Sequence, residues 1–263
     1  MIKFSKAHAY GNDFLYVEAH TVAGAAQDAL ARELCDRHTG VGADGLILFT
    51  RTPDGASMVL FNADGGRAEV SGNGVRGLAA LLLQHDSRDQ ADVTIHTEGG
   101  VKHLTRTAVA RSQQTFRAAM GAPEHLRQIS LVAAGEPLQV VTMMFGNPQS
   151  VVLGPLPDET RFRRLGPALE RHDAFRDGTN VEFAVVEGPT TVRILIWERG
   201  VGPTMSSGTG SCAALIAAAA FGGAARDAQV VAPGGAQRVV WQDDGVYLTG
   251  WAEVLFDGAW AGR

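Results

Sequence analysis

The chain has few cysteines, no long apolar run and no cluster of basic residues, and each shortage excludes a class of protein. Only Cys35 and Cys212 occur in 263 residues. The two do not form a CxxC pair, which leaves no readable disulfide framework or zinc site. The longest apolar stretch, 213–221, is far too short to span a bilayer, and the first residues lack the apolar run of a signal peptide. We therefore expect no metal, no membrane contact and a cytoplasmic location.

The charged residues exclude a further class of partner. The 23 basic residues are scattered along the chain and the formal net charge is -5, which argues against nucleic acid as a partner. Hydrophobic residues make up 45% and charged residues 19%, as in an ordinary globular protein. The length suits one large domain or two modest ones.

What the sequence does contain is an internal repeat. Two Ser-Gly-x-Gly turns begin at Ser71 and Ser207, 136 positions apart. Each opens onto a run rich in Ala and Leu, 78–83 in one case and 213–221 in the other. A single coincidence of this kind would mean little, but other landmarks recur at nearly the same offset.

The recurring landmarks lie in the same order in both halves. Nine residues before each serine is a polar side chain, Asn62 or Glu198, at the end of a β-type run, 58–61 or 192–197. The glycine landmarks, each pair 135 positions apart, are Gly11-Asn12 with Gly146-Asn147 and Gly99-Gly100 with Gly234-Gly235. We infer a duplicated unit.

The repeat predicts an α/β (α+β) protein of two pseudo-symmetric halves, each with a mixed β-sheet around a central apolar helix. We expect the halves to be 1–113 and 114–249, with the segment 250–263 returning to the first. Asp28 and Asp158 are predicted N-caps of surface helices 29–38 and 159–171. Further predicted strands are 93–97, 115–119, 138–145, 151–153, 181–186, 237–241 and 246–249.

A glycine-rich turn at the start of a helix has chemical consequences. Several backbone N–H groups stay unpaired at the positive end of the helix dipole, where they bind an anion and lower the pKa of an acidic side chain. Two such termini, related by duplication, are expected to face each other across the domain junction. The alternative is that the glycines only permit close packing. A phosphate loop is disfavoured because neither turn ends in Gly-Lys-Ser/Thr.

Several segments resemble the diaminopimelate epimerase family, in order and over essentially the whole chain. They are 6–14, 36–45, 61–65, Gly146-Asn147-Pro148, 179–183, 197–202 and Pro233-Gly234-Gly235. The resemblance implies the fold of that family and a cofactor-independent isomerase that converts LL-diaminopimelate to the meso form for lysine and peptidoglycan synthesis. It also implies a homodimer with a small amino-acid substrate.

The resemblance assigns roles to particular residues. Ser71 and Ser207 match the two catalytic positions, and Glu198 matches a carboxylate that assists at the reaction centre. Gly72, Asn73, Gly208 and Thr209 match the residues whose N–H groups grip the reacting carboxylate. The positions that hold the polar ends of the substrate are matched by Asn12, Asn62, Asn147, Asn180 and Arg199. The carboxylate of a zwitterionic amino acid gains negative charge as the α-proton leaves, and the fixed dipoles of helix N–H groups stabilise that charge. An arginine can hold a carboxylate by two parallel hydrogen bonds. Arg199 as a surface ion-pair partner of Glu198 is the alternative.

The chain departs from the family at the groups that move protons. Ser71 and Ser207 stand where the family has cysteine, and Gln149 stands where a histidine is common. An alcohol is a much weaker acid than a thiol and needs an adjacent base. Gln149 is therefore at most an assisting residue.

Four explanations of these departures are open. The chain is an engineered double mutant made to trap substrate, or it belongs to a natural branch that uses another proton relay through Glu198 and water. Alternatively, the protein acts on a related amino or hydroxy acid, or it binds its ligand without chemistry. The retained amides, glycines and Arg199 favour an intact amino-acid pocket.

The remaining thiols and imidazoles are not predicted to be catalytic. Cys212 lies five residues beyond Ser207, more than one helical turn, and both cysteines are interpreted as small buried hydrophobes. His8 and His38 lie in matched segments, and we expect structural or supporting roles for them.

Overall fold

The computed structural model describes residues 1–262, which form four α-helices and seventeen β-strands. The helices are α1 (Gln27–Cys35), α2 (Gly72–Leu82), α3 (Glu159–Glu170) and α4 (Gly208–Phe221). The strands up to residue 133 are β1 (Ile2–Ala9), β2 (Asn12–Glu18), β3 (Gly45–Thr52), β4 (Gly55–Asn62), β5 (Arg67–Ala68), β6 (Ala91–Thr97), β7 (Gly100–Ala110), β8 (Gln113–Gly121) and β9 (Glu124–Ala133). The later strands are β10 (Glu136–Met144), β11 (Pro148–Leu153), β12 (Asn180–Gly188), β13 (Thr191–Glu198), β14 (Gly202–Thr204), β15 (Asp227–Ala232), β16 (Gly235–Gln242) and β17 (Gly245–Trp260).

The chain forms two units, one of Met1–Ala118 with the described residues from Gly250 onward, and one of Ala119–Thr249. In the first unit the sheet order is β17–β1–β2–β3–β4–β6–β7–β8. In the second it is β9–β10–β11–β12–β13–β15–β16–β17. In both units the third and fourth strands are parallel, as are the fifth and sixth. The shared order and directions confirm the predicted fold class of two pseudo-symmetric halves.

Each unit buries one helix against the inner face of its own sheet. From Cys212 to Ala218, α4 is fully buried among side chains of β10–β13, β15 and β16. The corresponding helix α2 is buried among residues of β1–β4, β6 and β7. Neither helix has a polar stripe long enough to face water, so burial in a sheet is the arrangement that removes their apolar surface from solvent.

The other helix of each unit, which comes earlier in the chain, covers the outer face of its sheet. Helix α1 packs on β2 and β3, and α3 packs on β12 and β13. The predicted N-cap at Asp158 is confirmed, since its side chain accepts a hydrogen bond of 2.8 Å from the N–H of Arg161. None of the helices in the described residues is long and apolar enough to cross a membrane.

The prediction of Asp28 as an N-cap is wrong. Helix α1 begins at Gln27 after Ala26, so Asp28 lies inside the first turn. There its carboxylate accepts a hydrogen bond from Arg32, one turn later, and its charge favours the positive end of the helix. The helix also ends at Cys35 rather than at residue 38, because the Asp36 side chain accepts from two N–H groups that follow it and forms a turn.

Candidate active site

Ser207 lies between a carboxylate and the first turn of helix α4. It is the N-cap residue, with extended backbone, and its hydroxyl oxygen accepts a hydrogen bond of 3.2 Å from the N–H of Gly210. The carboxyl of Glu198 lies close to the same hydroxyl, which favours the ionised form of that carboxyl. An alcohol in this position can donate its proton to the carboxylate while the helix dipole stabilises negative charge on its oxygen.

Glu198 is suited to proton transfer by its surroundings. It is the last residue of β13, where the chain turns into β14. Burial raises the pKa of Glu198, and the neighbouring Ser207 hydroxyl opposes that change only in part. A carboxyl whose pKa is raised towards neutrality is a more effective general base and acid than an exposed glutamate.

Ser71 has the same scaffold in the first unit but a different neighbour. It is the N-cap of α2, and its hydroxyl oxygen accepts a hydrogen bond of 3.2 Å from the N–H of Gly74. The last residue of β4, at the place equivalent to Glu198, is Asn62, which is exposed. An amide does not titrate, so the duplicated turns share their geometry and differ in their proton-accepting groups.

The predicted amides of the first unit form a chain of hydrogen bonds beside α2. The amide of Asn12 donates to Asp44 at 2.7 Å and accepts from Asn73 at 3.3 Å. Asn73, the second residue of α2, in turn accepts a bond of 3.1 Å from Arg76. Gly72 is the first residue of the same helix, which leaves its N–H group at the helix end. Asn12, Gly72 and Asn73 are therefore brought together, with Ser71 adjacent in sequence.

Sequence reasoning did not single out Asp44 or Arg76. Asp44 also accepts from the backbone N–H of Asp13 at 3.1 Å and pairs with Arg37 at 2.8 Å. It therefore fixes the orientation of the Asn12 amide. In the sequence, Asp44 is marked only by its place in the segment 36–45, which resembles the family.

The predicted polar residues of the second unit gather around the start of α4. The amide of Gln149 lies between Glu182 on one side and Asn147, Asn180 and Thr209 on the other. Thr209 is the second residue of α4 and Gly208 is the first. Asn180 is held because its Oδ1 accepts a hydrogen bond of 2.9 Å from the backbone N–H of Arg199. The structure thus brings Asn147, Gln149, Asn180, Gly208 and Thr209 into one cluster.

Arg199 does not pair with Glu198. Its guanidinium donates to the carbonyl of Asp177 at 2.9 Å, and its aliphatic stem lies beside Gly178. Among the described residues, no ion pair joins Arg199 to Glu198. The side chain is exposed, so the guanidinium N–H groups that do not bond to Asp177 can meet a carboxylate from solution.

Glu182 is a functional candidate that sequence reasoning missed. It is fully buried in β12, and burial raises its pKa well above the ordinary range, with a further increase from the charge of Glu198. In the sequence it is one of two glutamates in a mostly apolar strand, between Val181 and Phe183. Charged residues are almost never fully buried without a specific partner.

The two cysteines are structural. Burial raises the pKa of Cys35 to about 12, which suppresses its thiolate. Cys212 is fully buried in the apolar core around α4. His8 forms a 3.7 Å contact with Glu253 and an edge-on ring contact with Trp251, as expected for a supporting residue.

Comparison with known proteins identifies the family. The family model for diaminopimelate epimerase matches residues 4–126 and 141–255. Proteins named diaminopimelate epimerase are 38% identical in Desulforudis audaxviator (98% of this chain, 99% of that protein) and 34% identical in Bacteroides thetaiotaomicron (99% and 98%).

Solved structures share the fold at lower identity. A probable proline racemase from Agrobacterium radiobacter K84 has a TM-score of 0.74 at 16% identity and covers 99% of this chain, with 93% of its own length matched. A hydroxyproline epimerase from Agrobacterium vitis has a TM-score of 0.67 at 16% identity, with 98% and 90% covered. The helix-capping serines and the amide clusters agree with the family model and the near full-length relatives. The chain belongs to the diaminopimelate epimerase family.

Proposed function

We propose that this protein is an isomerase that converts LL-diaminopimelate to meso-diaminopimelate without a cofactor. The observation that carries the proposal is the position of Ser207 at the N-terminus of α4, with the carboxyl of Glu198 close to its hydroxyl. That carboxyl supplies the adjacent base that an alcohol needs. The membership of the family supports the choice of substrate and reaction.

Ser207 removes the α-proton of the substrate. The α-C–H bond of the substrate breaks as an O–H bond forms at Ser207 Oγ, and the original hydroxyl proton passes to the carboxylate of Glu198. The two electrons of the C–H bond move into the carbanion-like substrate, whose carboxylate is stabilised by helix N–H groups. The carbanion then takes the hydroxyl proton of Ser71, solvent reprotonates the Ser71 oxygen, and Glu198 releases its proton to solvent, which completes the inversion and restores both groups.

The remaining polar residues bind the substrate. Backbone N–H groups of Gly72, Asn73, Gly208 and Thr209 are proposed to hold the reacting carboxylate. The distal amino and carboxylate groups are assigned to Asn12, Asn62, Asn147, Asn180 and Arg199. Gln149 assists by orienting its neighbours, because an amide cannot take up a proton. We further propose a cytoplasmic homodimer that serves lysine and peptidoglycan synthesis.

Proton NMR of LL-diaminopimelate with the pure protein in deuterated water tests the proposal. We expect the α-proton signal to disappear as the meso isomer accumulates, since the returned proton comes from solvent. A non-catalytic amino-acid binder would broaden the ligand lines without exchange, and that result would overturn the proposed reaction.

A further inference from the structure

The inner face of the second sheet carries a row of polar side chains next to α4. Strand pairing places Gln149 beside Asn180 and, one residue further along β12, Val181 beside Trp197. Glu198 follows Trp197 and ends the third strand of this row. Glu182 is two residues beyond Asn180 and therefore on the same face. It pairs with Ile196, so Glu198 is its diagonal neighbour, at about 7 Å between backbones and within reach of long side chains.

Glu182 is enclosed by neutral groups. It is 0% exposed, and its Oε1 lies 2.5 Å from the place where a Cβ on Gly210 would stand. With its amide nitrogen towards Glu182, Gln149 donates to the two carboxyl oxygens at 3.1 and 3.2 Å. These contacts satisfy hydrogen bonds but supply no positive charge to balance a buried carboxylate.

The repeat shows that the fold does not need a carboxyl here. In the first unit Ile47 pairs with Leu60, two residues before the end of β4, as Glu182 pairs with Ile196, two residues before the end of β13. Ile47 is therefore the equivalent of Glu182. The Cδ1 atom of Ile47 lies 2.8 Å from the Cβ position of Gly74, the same contact that Glu182 makes with Gly210. An apolar side chain therefore fills this position satisfactorily, and the carboxyl of Glu182 requires another explanation.

We propose that Glu182 and Glu198 form a carboxyl pair that retains one proton, and that the proton on Glu182 keeps Glu198 in its ionised, proton-accepting form. Glu182 is then a positioning residue, and Glu198 is the group that exchanges a proton with Ser207. This role deepens the proposed function and rests on it, whereas the retained proton can be measured without any turnover.

The electrostatic surroundings agree with that order of ionisation. The other titratable or charged side chains on α4, β12 and β13 are Cys212 and the exposed ion pair of Glu187 with Arg193. Arg199 follows β13 directly, and Glu170, on the opposite face of the sheet, is bound to Trp197. Strands β11 and β14 contribute no titratable side chain. Glu182 is fully buried whereas Glu198 is partly exposed, so the charged form is disfavoured more strongly at Glu182 and Glu198 loses its proton first.

The retained proton is tested by carbon NMR of the intact protein with glutamate carboxyl carbons labelled, titrated from acid to mildly alkaline pH. Wild type is compared with Glu182→Gln, Glu198→Gln and the exposed control Glu124→Gln. We expect two linked titration steps, with Glu182 protonated at neutral pH. In Glu198→Gln the midpoint of Glu182 should fall by about one pH unit or more, because the like charge is gone. The control should leave both steps unchanged.

The positioning role has its own readout, the acid limb of the pH profile for α-proton exchange. Glu182→Ile, the residue type of the equivalent position, should shift that limb to higher pH, because Glu198 loses its neighbouring donor. Glu182→Gln, which still donates, should shift it less. An ordinary titration of Glu182, or a midpoint unaffected by Glu198→Gln, would overturn the pair. Linked titration in a protein without exchange would instead overturn only the proposed function.

Discussion

The Oε1 atom of Glu182 lies only 2.5 Å from the position that a Cβ atom on Gly210 would occupy. The contact ties the first turn of α4 to the neighbouring strand β12, and it requires glycine at the third helical residue. Because Glu182 is buried and held by Gln149, it has little room to withdraw.

Gly210→Ala should therefore destabilise the protein despite the better helix propensity of alanine. Overpacking costs about 1–3 kcal/mol, and alanine recovers at most about 1 kcal/mol of it. The thermal unfolding midpoint measures the loss. Gly74→Ala, which meets the flexible end of Ile47, is the matched control and should cost less. Equal losses in Gly210→Ala with and without Glu182→Ala would contradict the contact as the cause.

Ser207→Ala should abolish most α-proton exchange, whereas its effect on stability should be limited to the loss of one helix-capping hydrogen bond. Loss of the cap removes about 0.5–2 kcal/mol of stability. Loss of the proton relay should lower the exchange rate by about 10²–10⁴-fold. The matched variant is Asp158→Ala, which removes the corresponding cap from α3. It should lose similar stability and retain exchange, and a comparable rate loss in both variants would show that Ser207 acts only through folding.

Ser71→Cys combined with Ser207→Cys should raise the exchange rate of LL-diaminopimelate by about tenfold or more. A thiol has an unperturbed pKa of about 8.5, far below that of an alcohol, and a helix N-terminus lowers it further. The initial rate in deuterated water measures the gain. Ser130→Cys, on an exposed strand residue, adds a thiol away from both turns and should change nothing. An unchanged rate in the double variant would mean that proton transfer at these positions does not limit turnover.

Glu182 should make stability fall as pH rises. Its pKa is raised in the folded protein, so below the ordinary glutamate range it is protonated in both states and costs nothing. As pH rises from about 4.3 towards the folded pKa, only the unfolded chain releases the proton, and stability falls by at most about 1.4 kcal/mol per pH unit.

The measurement is the difference in unfolding free energy between wild type and Glu182→Gln across that range. Glu182→Gln should gain relative to wild type as pH rises, whereas the exposed control Glu124→Gln should stay level. A difference independent of pH would mean that Glu182 is ionised in the folded protein.

The sequence by itself determined the duplicated architecture and the places of both serines. The two Ser-Gly-x-Gly turns and their apolar helices are local patterns, and the capping bonds of Ser71 and Ser207 depend only on residues three positions away. Predicted strands such as 93–97 and 181–186 also lie within β6 and β12. Strands β7 and β9 were not predicted, because their mostly exposed side chains carry little apolar alternation.

Only the tertiary structure decided which carboxyl is buried and what it contacts. Glu182 was visible in the sequence as one glutamate in a strand, with no local feature to separate it from exposed Glu187 in the same strand. Its burial comes from Gln149 on β11 and Gly210 on α4, each about thirty residues away in the chain. A pKa depends on the dielectric and charges around the group, and those were set by strand register and helix packing rather than by neighbours in sequence.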